Sequence, residues 1–231
     1  MKPDRLLSPY YVGVPDYMVD VYDWAYVNPR WVERLDHNAV VWVLLFGNSS
    51  RLINAYLDHI KPGSRMWQVA HVYGDQIEQV AQRIGSAGIL DLTDITPIQV
   101  EHAQKKLAPY SWSRIFCRDA ADFRGAQQYD IVGSFFLLHE VPDEKKRHIV
   151  DNMLSNMADD GKAVFVDYHR PAIWHPVRQI LNVVNALLEP FAHSIWEHDI
   201  SHFATRAEDY EWKKETFFGG VYQCTTAVKK K

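Results

Sequence analysis

From residue 65 to residue 168, short apolar runs alternate with longer stretches whose apolar residues return every three or four positions. The runs at 65–72, 89–95, 113–118, 130–138 and 163–168 have strand length and are rich in branched and aromatic residues. Between them, 76–84, the stretch opened by Pro97 and the stretch begun by Asp143 carry helical spacing, and Asp160-Gly161 ends the last of these. Strands that alternate with helices predict a parallel sheet covered on both faces. The end of the chain differs: 215–218 and 221–228 are β-rich runs separated by Gly219-Gly220, a direct hairpin signal. Upstream of the core, Trp24, Tyr26, Trp31 and Trp42 stand among apolar residues at helical spacing, as do Ile180, Leu181, Val184, Leu187 and Leu188 in 174–188. The expected organisation is one domain, 1–231, with a helical extension over 1–60 and an α/β core over 61–231.

A chain of 231 residues with 47% hydrophobic content suits a single domain with a full core. A net charge of -4 and a pI near 6.2 give no electrostatic reason for a nucleic-acid partner, and the Lys229-Lys230-Lys231 tail reads as solvated. Cys117 and Cys224 lack metal-type spacing, which fits buried thiols in a reducing compartment and makes the cytoplasm the default location. Charged Lys2, Asp4 and Arg5 precede no long apolar stretch, and the apolar run 39–46 is too short to span a bilayer, so a soluble or peripheral protein is expected.

The most informative segment is 68–75, Gln-Val-Ala-His-Val-Tyr-Gly-Asp, which follows the first strand and opens a helix. A strand–turn–helix unit aims helix N–H groups at a ligand, and glycine at Gly74 permits close backbone approach. The second strand ends at Asp94-Ile95, where a carboxylate can accept both hydroxyls of a ribose. The unit is nucleoside-binding in outline, yet it retains one glycine where such loops carry several.

Order and loops together resemble the class I S-adenosylmethionine-dependent methyltransferases over roughly residues 60 to 228. The family's acid and three alternating glycines correspond to Gln68, Ala70, Val72 and Gly74, of which three depart. Leu92-Thr93-Asp94-Ile95-Thr96-Pro97 matches the end of the family's second strand, Arg118-Asp119-Ala120 its adenine-contacting acid, and Tyr129-Asp130-Ile131-Val132 its fourth strand. Asp159-Asp160-Gly161-Lys162 resembles the turn before the fifth strand. The resemblance implies S-adenosylmethionine held by Gln68, Ala70, Tyr73, Gly74, Asp94, Ile95, Asp119 and Ala120, on a seven-stranded Rossmann-like sheet. Asp94→Ala is then expected to weaken cofactor binding with the fold intact.

Six blocks in order give a closer resemblance over nearly the whole chain. They are Val14-Pro15-Asp16-Tyr17, Trp24-Ala25-Tyr26-Val27-Asn28-Pro29, Val72-Tyr73-Gly74-Asp75, Phe135-Phe136-Leu137-Leu138-His139-Glu140, Asp167-Tyr168-His169-Arg170-Pro171 and the stretch from Lys214 to Tyr222. Together they look like the rhodoquinone-biosynthesis RquA family. That resemblance implies conversion of ubiquinone to rhodoquinone, an amino group replacing a ring methoxy, with S-adenosylmethionine as amino donor and manganese assisting. An isoprenoid quinone as substrate implies peripheral contact with the inner membrane surface.

The ends of the fourth and fifth strands open onto the crevice where such sheets bind ligands, and they carry His139-Glu140 and Asp167-Tyr168-His169. His139, Asp167 and His169 have the nitrogen and oxygen donors that suit a manganese-type ion, and His139, Glu140 and His169 suit proton transfer. Adjacent residues on an extended chain face opposite ways, so both members of either pair are not expected to ligate. With eleven histidines in the chain, packing is the alternative for each. A neutral Gln68 in place of the acid would leave the cofactor's amine freer to act as a nucleophile; drift is the alternative. Tyr73 orients the cofactor or blocks its usual methyl trajectory; simple packing is the alternative. Two rivals stand beside quinone amination: ordinary methylation of a quinone precursor or another small molecule, and a non-catalytic S-adenosylmethionine-binding protein.

Overall fold

The computed structural model describes residues 8–231, so the charged opening at Lys2, Asp4 and Arg5 lies outside the described residues. The described residues open with a 3-10 turn (Pro9–Tyr11), followed by α1 (Asp16–Tyr22), a π-helical turn (Asp23–Val27), α2 (Pro29–Leu35), α3 (Asn38–Leu44) and α4 (Ser49–Leu57). The core follows as β1 (Arg65–Val69), α5 (Gln76–Ile84), β2 (Ile89–Asp94), α6 (Pro97–Leu107), β3 (Ser113–Cys117), β4 (Tyr129–Phe135), α7 (Asp143–Asn156) and β5 (Met157–Tyr168). After α8 (Val177–Leu187) and the short α9 (His193–Glu197), β6 (Tyr210–Phe217) and β7 (Tyr222–Lys229) form the hairpin.

The seven strands lie in the order β3-β2-β1-β4-β5-β7-β6, with β7 antiparallel to both β5 and β6. The period of two along each strand sorts side chains onto two faces. Met66, Leu90, Leu92, Val164 and Val166 pack with Leu52 of α4, Ile77 of α5 and Ala103 of α6. Trp67, Val132, Ala163 and Phe165 pack with Val150 and Met153 of α7 on the other. The order reverses between β1 and β4, which puts a crevice at the carboxyl ends of those strands.

The expected strands are present, with shifted ends. β1 stops at Val69, three residues early, because Ala70 turns into the left-handed region at φ 66. β4 stops at Phe135 and gives way to a 3-10 turn over Leu138–Glu140. Asp159, Asp160 and Gly161 lie inside β5, where the register against β4 shifts between Tyr129 and Ile131, so the expected turn is a bulge. Cys117 is exposed rather than buried, whereas Cys224 is buried as expected; both are free. Lys229 ends β7 and pairs with Asp159 at 2.6 Å. No helix among the described residues is long and apolar enough to cross a membrane.

The N-terminal helices are a wall of the domain. Tyr22, Val27 and Val32 are fully buried, and the loop after α2 reaches the loop between β1 and α5. There Asp36 accepts the Gly74 N–H at 2.9 Å, Asn38 accepts the Asp75 N–H at 2.8 Å, and Asp36 also pairs with His102 and Lys106 of α6.

Candidate functional site

The crevice opens into a chamber of about 380 Å³. Ala70, Tyr73, Asp94, Ile95, Asp119, Ala120, His139 and Glu140 all line it, so eight positions singled out by sequence share one cavity. Gln68, Gly74, Asp167 and His169 are not among its lining residues.

Gln68 lies on the β1 face that meets α4. It is fully buried, and its Oε1 accepts the Tyr56 hydroxyl at 2.6 Å. Tyr56 reaches it by crossing β4 at Gly133, where a Cβ would run into the phenol ring. Gly74 has φ 76, and a Cβ there would sit 2.6 Å from Asn38 Oδ1. Its N–H faces Asp36 and the Asp75 N–H faces Asn38, so the two amides just before α5 are taken by side chains of the N-terminal layer.

Ala70 shows what the missing glycines cost. An alanine held at φ 66 carries roughly 1–2 kcal/mol of steric strain that glycine would not. Its N–H is fixed to Thr93 O at 2.8 Å, which prevents relaxation. Ala70→Gly is expected to raise stability by about 0.5–1 kcal/mol, measurable by denaturant titration; a lower midpoint would contradict the strain.

The space between the altered loop and the N-terminal layer is filled by a polar seam. Gln99 Nε2 donates to Tyr26 O at 3.1 Å and to the Tyr73 hydroxyl at 3.0 Å, and that hydroxyl donates to Ala25 O. Gln99 Oε1 is thereby left to accept from His71 Nδ1 at 2.7 Å, which places the imidazole proton on Nδ1. His71 Nε2 then carries a lone pair and has no partner among the described residues. Burial, with Lys106 nearby, pulls the His71 pKa down to about 4, so the ring is a neutral acceptor on the chamber wall at neutral pH. Burial pushes the Tyr73 phenol well up, and its hydroxyl is engaged with the N-terminal layer.

Asp94 is buried and already bonded. Oδ2 accepts the His71 N–H at 2.9 Å, and Oδ1 accepts the Thr96 N–H at 2.8 Å and the Thr96 hydroxyl at 2.5 Å. Burial raises its pKa against these bonds. It therefore braces the loops after β1 and β2 from the chamber wall, and Asp94→Ala cannot leave the fold untouched. That variant is expected to lose about 1–3 kcal/mol of stability along with ligand affinity, read by melting and calorimetry on the same sample. A wild-type melting temperature would refute the bracing role. Asp119 accepts the Ala121 N–H at 2.9 Å and Lys145 Nζ at 2.7 Å, which orients it at the end of β3.

The floor of the chamber is a buried charged cluster. His139 Nδ1 donates to Asp167 Oδ1 at 2.8 Å, and Asp167 Oδ2 accepts the Leu138 N–H at 2.8 Å. His139 Nε2 lies 3.5 Å from Glu140 Oε1, which accepts from the Tyr26 hydroxyl. Glu189, arriving from the end of α8, lines the same chamber and accepts from Tyr22 at 2.7 Å. Burial works against the His139 imidazolium, but Asp167, Glu140 and Glu189 outweigh it and lift the pKa to about 9. Burial and the like charge of Glu189 lift Glu140 to about 8 against His139 and Tyr26. Burial raises Glu189 too. Burial and mutual charge thus favour the proton-bearing forms of His139 and Glu140, which makes the floor a source of hydrogen-bond donors.

The expected metal set does not assemble. A divalent ion needs donors converging on one point, whereas His139 and Asp167 are turned on each other. His169 is elsewhere, because β5 ends at Tyr168 and the chain turns toward the hairpin. Its Nδ1 faces Gly220 O at 3.0 Å and its Nε2 faces Lys214 at 3.3 Å, which also removes it from the proton-transfer group. Among the described residues no three His, Cys, Asp or Glu side chains form a metal-type group.

Sequence reasoning missed Glu189, Tyr22, Gln99, His71 and Asp36 as parts of this site. Tyr22 and Tyr26, four apart, could have been placed on one helical face; nothing local to Glu189-Pro190 marks it.

No protein-family model matches the chain, and no curated protein matches it. Solved structures do. The N-methyltransferase NodS from Bradyrhizobium japonicum WM9, in complex with S-adenosyl-L-homocysteine, is 14% identical with a TM-score of 0.58, covering 94% of this chain and 100% of that one. A TehB-like SAM-dependent methyltransferase from Corynebacterium glutamicum is 15% identical, TM-score 0.53, covering 88% and 100%. An O-methyltransferase family protein from Burkholderia thailandensis is 13% identical, TM-score 0.60, covering 86% and 62%. With five parallel strands, the antiparallel seventh strand between the fifth and sixth, and the chamber at the β1/β4 switch point, the chain has the class I S-adenosylmethionine-dependent methyltransferase fold.

Proposed function

We propose that the protein is an S-adenosylmethionine-dependent enzyme that modifies an isoprenoid quinone, with amino replacement of a ring methoxy as the reaction, as in the RquA family. The supporting observation is one chamber that joins Asp94 and Asp119 on its cofactor wall, proton donors on its floor, and an apolar rim. Asp94, Ile95, Asp119 and Ala120 suit the nucleoside half of the cofactor, and when bound the cofactor supplies either its sulfonium methyl or its amino nitrogen. Asp36 takes the Gly74 N–H just ahead of the helix terminus that commonly receives the charged end of such ligands, and Tyr73 and His71 fill the space that glycines would leave open. His139 and Glu140 can donate hydrogen bonds to a quinone carbonyl and so draw electron density from the ring. Asp167 holds the His139 ring in orientation, and Tyr26 holds Glu140. Leu181, Val184 and Leu188 on one side and Val43 and Leu44 on the other suit an apolar tail. Manganese was part of the expected reaction; the donor geometry does not fit it, and no step here uses it.

Ordinary methylation is the second reading. In its neutral form, reached as pH rises toward about 9, the His139–Asp167 pair could take a proton from a substrate hydroxyl, as hydroxyl methylation requires. Incubation with cofactor carrying labelled nitrogen and labelled methyl separates the readings. Labelled nitrogen in the quinone supports amination and labelled methyl supports methylation. Binding without either product would leave a cofactor-binding protein with no turnover.

A further inference from the structure

A second cavity of about 490 Å³ opens to solvent between α8 and α9. Its lining and that of the chamber have one residue in common, Glu189. Helix α9, which forms one side of this outer pocket, packs against the 3-10 turn that carries His139 and Glu140. The buried floor of the chamber and the open pocket are therefore neighbours, with a carboxyl group at their common wall.

Glu189 is fixed in place. Its N–H reaches Val184 O at 3.3 Å at the end of α8, its carbonyl accepts the Ala192 N–H at 3.1 Å, and Pro190 narrows its backbone range. Fully buried Lys146 anchors the same turn by donating to Phe191 O at 2.7 Å. The Tyr22 hydroxyl donates to Oε2 of Glu189 at 2.7 Å, and the Tyr26 hydroxyl donates to Oε1 of Glu140. Each carboxyl thus keeps one oxygen outside those bonds, and the two tyrosine rings pack against each other at 6.0 Å between centroids. On the chamber side His139, Glu140 and Asp167 act on Glu189 or feel its charge, which helps lift both His139 and Glu140. On the outer side Glu197 is paired with His193 at 3.4 Å, and Arg170 and Arg178 stand across the pocket, Arg178 donating to Pro171 O at 2.8 Å.

Either transfer considered above leaves a proton behind. Methylation of a hydroxyl by a sulfonium methyl gives a methyl ether, a thioether and one proton; exchange of a ring methoxy for an ammonium nitrogen gives a ring amine, methanol and one proton. The His139 and Glu140 side chains are only 5% and 9% exposed, and ligands held in the chamber would stand between them and its mouth. A way out behind the floor would solve this.

We propose that Glu189 is the proton carrier between the chamber floor and solvent, receiving protons from the His139–Glu140 pair and releasing them to water in the pocket between α8 and α9. In the outward step the His139 Nε2–H bond breaks, its electron pair stays on the ring, and the proton bonds to Oε1 of Glu140, 3.5 Å away. Glu140 gives up the proton on its other oxygen to Oε1 of Glu189, and that carboxyl then loses it to pocket water. The ring ends neutral, Glu140 unchanged and Glu189 a carboxylate again. The role rests on the chamber being a transferase site, whichever group is transferred. Glu189 acts through His139 and Glu140 and is a positioning residue for their protons.

Exchange of the His139 Nε2–H with water tests this without turnover, by NMR of the full chain carrying nitrogen-labelled histidine, with His139→Gln to assign the signal. Glu189→Gln keeps an oxygen for the Tyr22 hydroxyl but cannot carry a proton. It is expected to slow the exchange roughly tenfold at an unchanged melting temperature, read across pH so that a moved His139 titration is separated from a changed rate. Glu189→Asp, which retains a carboxyl, should recover part of the rate. Adding S-adenosyl-L-homocysteine should leave wild-type exchange in place, since the carrier lies behind the chamber. Equal rates in wild type and Glu189→Gln overturn the proposal. So does a wild-type rate that S-adenosyl-L-homocysteine lowers to that of the variant, which would put the proton path at the mouth. A drop in melting temperature for Glu189→Gln, with no recovery of rate in Glu189→Asp, overturns it too and leaves Glu189 a packing residue. Calorimetry on the same samples keeps the readings apart: failure of S-adenosyl-L-homocysteine to bind sinks the cofactor reading, while the exchange rates of the unliganded proteins still decide the carrier.

Discussion

Asp167→Ala is expected to cost about 3–5 kcal/mol of stability, because it strands the buried His139 imidazolium and the Leu138 N–H together. Asp167→Asn should cost less and is the more informative variant, since it keeps the shape and removes the charge that lifts His139. The pH dependence follows from two groups whose folded pKa values are raised. His139 goes from 6.5 to about 9, so its contribution is complete below 6.5 and is lost as pH rises through about 9. Glu140 goes from 4.5 to about 8, so its contribution is complete below 4.5 and is lost as pH rises through about 8. Both act in the same direction, and wild-type stability is expected to fall from about pH 4.5 to about pH 9, most steeply between 6.5 and 8 where the two windows overlap. In Asp167→Asn the His139 part of that fall should move to lower pH. Denaturant midpoints measured across this range decide the matter: a flat wild-type profile would mean the floor is not charged in this way. Activity should track the same protonation, declining on the alkaline side as the donors are lost.

Asp36→Ala is expected to have the second largest effect, loosening the N-terminal layer from the core. One carboxylate there holds the Gly74 N–H, His102 and Lys106, and so joins the loop after α2 to the starts and faces of α5 and α6. Burial alone would raise its pKa, but the hydrogen bonds from His102 and Lys106 outweigh it and bring it down to about 2. Against an ordinary value of 3.8, that difference is worth about 2 kcal/mol at neutral pH. For a depressed carboxylate the contribution is present above 3.8 and lost as pH falls through about 2. The stability gap between wild type and Asp36→Ala should therefore be full at pH 6 and begin to close below about pH 4. Hydrogen exchange gives the spatial readout: amides in the turn Asp23–Val27 and in α2 and α3 should lose protection in the variant while β1 and β4 keep theirs. Uniform loss throughout would show that Asp36 supports global stability without serving as a local clasp.

Much of this protein is legible in one dimension. The alternation of strand-length runs with helical spacing, the Gly219-Gly220 hairpin and the order of loops are local signals, and local signals specify strands, helices and turns through backbone geometry. Right-handed crossovers then leave few ways to assemble five parallel strands, so the sheet and its crevice followed from the sequence. Because the crevice in such a sheet always lies at the carboxyl ends of the strands, Asp94, Asp119 and His139-Glu140 could be placed on one cavity from their positions alone.

Direction and pairing of side chains were decided only in three dimensions. Gln68 stands in β1 and Gly74 just before α5, yet Tyr56 from α4 and Asp36 from the N-terminal loop take their polar groups, contacts across 12 and 38 residues that no local pattern encodes. His169 sits two residues from Asp167 but turns to the hairpin because β5 ends between them. Glu189 joins His139 and Glu140 from the far end of α8, and that meeting makes the floor a proton donor, since the pKa of each group is set by the burial and charge of the others. The sequence determined which residues stand at the strand ends, because chain direction and strand period are properties of the backbone. Only the tertiary structure decided what each of them faces, because that depends on elements distant in the chain packing into the same space.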